Sequence, residues 1–113
     1  MTIATPDIAF HFPPDFDERA EYEMTLKGHL CGGEIELPAG RRFPITFFDP
    51  VRLSQDLEMT SRRGELAFIE PSLVVISEVT REVILRTLPE LMRQRFFDHL
   101  KPLAAPTVNR VAG

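Results

Sequence analysis

The 113-residue chain is 43% hydrophobic and 27% charged, with nine Phe, no Trp and a formal charge of −4, which is the composition of one globular domain with a Phe-built core. No apolar run nears the ~20 residues a membrane-spanning helix needs, and the N-terminus has neither a basic start nor the apolar stretch of a secretory signal. The single cysteine, Cys31, excludes an intrachain disulfide and points to a reducing, cytoplasmic setting.

Residues 1–19 read as an acidic, proline-containing arm. Pro6, Pro13 and Pro14 interrupt it, and Pro donates no backbone hydrogen bond. Ile8, Phe10 and Phe12 alternate, enough for a short docked edge strand. Up to residue 25 the acids Asp7, Asp15, Asp17, Glu18, Glu21 and Glu23 face Arg19 alone, and the rest of the chain is near neutral. An acidic arm on a neutral body speaks against nucleic acid, since nucleic-acid binding needs a basic face.

Residues 20–103 read as one α+β domain. Tyr22, Met24, Leu26 and Leu30 alternate with Glu23, Thr25, Lys27, His29 and Cys31, the period of a half-buried strand over 22–31. Gly32-Gly33 permits a tight turn. Glu34–Leu37 alternates again, Pro38–Arg41 turns, and Phe43, Ile45 and Phe47 resume the inward face, so the three strands predict an antiparallel meander.

Asp49-Pro50 signals a helix start, with Asp as N-cap and Pro at the first helical position. That helix is expected to run to about Met59. Leu66–Ile69 and Leu73–Ile76 read as two short strands about a Glu70-Pro71-Ser72 turn. The unalternating Leu73–Ile76 run suits a central strand covered on both faces. From Ser77 or Thr80 to Leu100 the pattern is helical, with Pro89 kinking it or starting a second helix.

The predicted fold is therefore a mainly antiparallel sheet of about five strands in the order ββ-β-α-ββ-α, with two helices on one face. Residues 104–113 read as a flexible tail.

Candidate chemistry is sparse. His29 and Cys31 lie two apart on one strand face, the geometry of a metal half-site or a His-activated thiol. The other histidines, His11 and His99, come from distant segments, and no second Cys exists, so no metal and no cofactor is expected. Gly28, Gly32 and Gly33 lack phosphate-loop spacing. No Gly-x-Ser-x-Gly elbow surrounds Ser54, Ser61, Ser72 or Ser77. Glu34 and Glu36 share a face and can pair with Lys27, Arg41 or Arg42. Arg62, Arg63, Arg81, Arg86, Arg93 and Arg95 could serve an acidic partner, the chain's own acidic arm included.

On a helical wheel drawn from Pro89 onward, Met92, Phe96, His99, Leu100 and Leu103 share one face, while Leu91 and Phe97 fall off it. Surplus apolar surface of this kind marks an interface, so Leu91, Met92, Phe96, Phe97 and Leu100 form a candidate interface for a homodimer. The reading is a non-catalytic protein-interaction or accessory module. The alternative is a small-molecule binder or an enzyme with a cryptic site between sheet and helices.

Overall fold

The computed structural model describes residues 1–100, 102 and 103; the predicted tail at 104–113 lies outside the described residues. The chain is α+β. Strands β1 (Thr2–Thr5) and β2 (Ile8–His11) precede helix α1 (Glu18–Lys27), strands β3 (His29–Glu36) and β4 (Arg42–Phe48) follow, then α2 (Pro50–Arg62), β5 (Leu73–Val75) and α3 (Arg81–Arg93). The strands form one sheet in the order β1-β2-β3-β4-β5. The first three pairings are antiparallel and β4–β5 is parallel, Phe47 standing opposite Val74.

The N-terminal segment is not an irregular arm. Residues 2–11 are a hairpin of the sheet, and Phe10 is 0% exposed. Its prolines do not oppose this: Pro6 sits between the strands, and Pro13 and Pro14 follow them. The Ile8–Phe10–Phe12 alternation is what the core uses, since all three are buried.

The strand predicted over 22–31 is overturned. Residues 18–27 are helix. The Asp17 carboxylate accepts the Ala20 N–H at 2.8 Å, Glu18 and Glu21 lie in the first turn, and Gly28, at φ 70°, ends the helix in left-handed backbone. These are strong start and stop signals. Only Met24 is buried on α1, whereas Tyr22 and Leu26 are exposed. A helix that buries one residue shows no 3.6-residue stripe, so the accidental period of two was read instead. Tertiary bonds hold it: Arg81 Nε donates to Glu21 Oε2 at 3.2 Å, and the Thr25 hydroxyl donates to the Val79 carbonyl at 2.8 Å.

The Gly32-Gly33 turn is overturned as well. β3 runs through both glycines, with a register shift between Leu30 and Gly33, a bulge rather than a reversal. Residues 66–69 are not a strand.

The start of α2 agrees with expectation. Asp49 Oδ1 accepts the Arg52 N–H at 2.8 Å, and Pro50 takes the first helical position. Asp49→Ala is expected to cost about 1 kcal/mol, read as a shift in the urea midpoint of unfolding. An unchanged midpoint would mean that the cap bond contributes nothing to stability.

Two layers flank the sheet. Phe43, Ile45 and Phe47 join the main core with Ile84, Leu88 and Val79. Phe48 is equally buried at 4% but stands outside that cluster, because neighbouring strand residues point to opposite faces. Its ring lies 5.7 Å from Phe68 and under Arg52 of α2. α2 and the segment after it thus cover part of the second face.

The helical wheel drawn through Leu103 is also corrected. α3 ends at Arg93, with Pro89 inside a continuous helix. Arg95 then takes left-handed backbone at φ 56°, and a short 3-10 turn spans Phe96–His99. Phe97 thereby stacks on Phe43, centroids 5.2 Å apart. Leu91 and Phe97, expected off the core face, are 6% and 7% exposed within one chain. Phe96 and Leu100 pack against the core, and Met92 is the more exposed member. The surplus apolar surface from which a dimer through this helix was read is absent at Leu91 and Phe97.

Candidate functional site

His29 and Cys31 lie on the second face of the sheet, beside α2. Arg52 Nη1 approaches His29 Nδ1 at 3.0 Å and Arg52 Nε bonds Asp56 Oδ1 at 3.1 Å. A guanidinium only donates, so Nδ1 accepts and the neutral imidazole carries its proton on Nε2. Burial holds the His29 pKa below its ordinary value, helped by the nearby charges of Arg52 and Lys27 and opposed by Asp56. Cys31 is exposed as a residue, yet its sulfur is partly shielded. That burial pushes the thiol pKa up, the Glu70 carboxylate adds to the effect, and Arg52 and the Thr46 hydroxyl oppose it. A nucleophilic cysteine needs the opposite shift. Among the described residues no three His, Cys, Asp or Glu side chains converge as metal ligands.

The His29 environment makes stability depend on pH. Well above pH 6.5 the ring is neutral whether the chain is folded or not. Below it the unfolded chain takes up the proton first, so stability falls as pH drops from 6.5 toward the lower folded value. Glu21 and Glu36, both held below the ordinary carboxylate value by hydrogen bonds, act only at more acid pH. His29→Gln stays neutral throughout. Between about pH 7.5 and about pH 5.5 the urea midpoint is expected to fall in the wild type and to fall less in the variant. Parallel declines in the two proteins would assign the effect to other groups.

The uncovered part of the second face carries a polar ladder. His11 Nε2 lies 2.7 Å from Glu36 Oε1, and Arg42 donates to Glu34 at 3.0 Å and to Glu36 at 3.2 Å. Arg42 is therefore the predicted partner that pairs here, while Lys27 lies instead near Glu23. These groups are solvated and neutralise one another, which suits a sheet surface rather than acid–base catalysis.

Sequence reasoning missed the free edge of the sheet. The unalternating Leu73–Ile76 run suits a central strand, but β5 is the sheet edge among the described residues. The Thr46 N–H donates to the Ser72 carbonyl at 3.0 Å and the Ile76 N–H to the Phe48 carbonyl at 2.9 Å. Residues 72, 74 and 76 thus turn their peptide groups toward β4, and by alternation Leu73 and Val75 turn theirs outward. The Leu73 N–H closes a turn onto the Glu70 carbonyl at 3.2 Å. Among the described residues, the Leu73 carbonyl and both peptide groups of Val75 are left facing out.

Beside this edge runs an open groove of about 620 Å³ between β5 and α3. Val74, Ile76, Val83, Thr87, Leu91 and Phe96 line it, with Glu90 and Gln94 as its polar wall. Val75 is 44% exposed, and Ile69 and Leu66 in the preceding segment are more exposed still. The short length of the strand and Pro71 just before it were the available signals of an edge.

Comparison with protein-family models, with curated proteins and with solved structures finds no match for this chain. No helix among the described residues is long and apolar enough to cross a membrane.

Proposed function

We propose that the chain is a protein-binding module that takes up an extended segment of a partner along the outer edge of β5. The observation that carries this reading is the outward-facing backbone of Leu73 and Val75 beside an apolar groove. Main-chain hydrogen bonds to an edge strand supply affinity, and alternating side-chain pockets supply specificity. Val74 and Ile76 with Val83, Leu91 and Phe96 offer such pockets for apolar side chains.

Selection of peptides from a displayed random library tests it, followed by anisotropy titration against the chain and against Val75→Pro. Proline at 75 deletes one outward N–H and no bond to β4, so the fold should survive. Enriched peptides with alternating apolar residues, bound at least about tenfold more weakly by the variant, are expected. No enrichment, or affinity indifferent to Val75→Pro, would sink the reading.

A second reading is a small-molecule site in the same groove, whose volume lies within the range of about 300–1,000 Å³ for ligand pockets. A metabolite retained through native purification and lost in a Leu91→Glu variant supports it.

A further inference from the structure

We infer that the segment accepted along β5 carries Lys or Arg at both ends of its apolar run, and that the acids flanking β5 keep a second copy of this chain off the edge. The inference rests on the strand-addition reading above. Glu70 stands just before the strand and Glu78 just after it, and both are exposed. Glu70 is held at the strand start, where its Oε1 accepts the Ser72 hydroxyl at 3.2 Å. Glu90, on the groove wall, is already paired with Arg93 and accepts a hydrogen bond from the Gln94 amide. On α3, Arg86 lines a pocket with Ser77 and Glu90, and Arg93 pairs with Glu90.

Two copies pairing antiparallel through β5 would set the start of each strand against the end of the other. The Glu70 end of one strand then lies near the Glu78 end of the other, twice in each dimer. Like charges across paired strands oppose association, and charged edges are a common protection against edge-to-edge pairing. A partner strand with a base at each end turns both oppositions into attractions, whichever way it runs. The chain's net charge of −4 favours the encounter with such a basic partner.

The test uses the full chain and two synthetic peptides that share the apolar core obtained by display. One has Lys-Lys at each end and the other Glu-Glu. The Lys-flanked peptide is expected to bind at least about tenfold more tightly at low salt, with the gap closing at high salt. In the Glu70→Lys, Glu78→Lys double variant the preference should invert. Glu78→Lys alone leaves Glu70 facing a lysine across the two-fold, and light scattering should show its dimer fraction rise above that of the wild type. Equal affinities for the two peptides, with both lost in Val75→Pro, would overturn the charge inference and leave strand addition standing. Failure of display to yield any core defeats strand addition itself. A wild-type dimer that Val75→Pro splits would place a second copy on the edge and overturn the inference. So would slow hydrogen exchange of the Val75 amide in the free chain, since the chain's own residues would then cover it.

Discussion

Gly33→Ala is expected to cost about 3 kcal/mol, the upper end for overpacking a filled core. A Cβ at 33 would meet Phe10 Cε1 at 2.4 Å and Cζ at 2.5 Å. That ring is fully buried, with edge contacts to Phe12 at 4.8 Å and to Phe47 at 5.6 Å between centroids. It has nowhere to move without displacing two further rings. For a domain stable by about 5–15 kcal/mol, this removes a large share of the whole. Urea unfolding measures the loss directly. Phe10→Leu is expected to relieve the clash, so the two substitutions together should cost at least about 1 kcal/mol less than their sum. A Gly33→Ala midpoint close to wild type would mean that the Phe10 ring is free to shift.

Phe48→Ala is expected to cost about 3 kcal/mol, within the range for removing a buried aromatic ring. Phe48 is the apolar anchor of the second face. His29 packs edge-on against its ring at 6.2 Å, Phe68 lies at 5.7 Å, and Arg52 sits over it. α2 itself buries only Thr60 and exposes Val51, Leu57 and Met59, so little else holds the helix to the sheet. Amide hydrogen exchange adds the discriminating readout. In Phe48→Ala the amides of α2 and residues 64–71 should exchange faster well before those of α3, whose Ile84 and Leu88 belong to the main core. Equal acceleration in both regions would mean that the two layers unfold as one unit.

The residues that were misread share a physical cause. α1 is set by its caps and by bonds to Arg81 and the Val79 carbonyl, and its single buried side chain leaves no hydrophobic stripe to see. The glycines at 32 and 33 look like a reversal in sequence. In the sheet Gly33 instead gives Phe10 the room that any side chain would take. Leu91 and Phe97 looked misplaced on a continuous helix because nothing in Gln94-Arg95 announces left-handed backbone at Arg95. His29 and Cys31 were rightly placed on one face, but the groups that set their protonation, Arg52, Asp56 and Glu70, come from α2 and the segment beyond it.

By itself the sequence determined the fold class, a mainly antiparallel α+β sheet, together with the Asp49 cap and the inward faces of Ile8–Phe12 and Phe43–Phe47. Each of these is local: alternation and capping are properties of a few neighbouring residues. Only the tertiary structure decided that β5 lies at the edge, because an apolar run reads the same whether one or two strands flank it. The exposed backbone of Leu73 and Val75, and the acids that flank it, follow from where α2 carries the chain after β4. That long-range placement also creates the surface on which the proposed function rests.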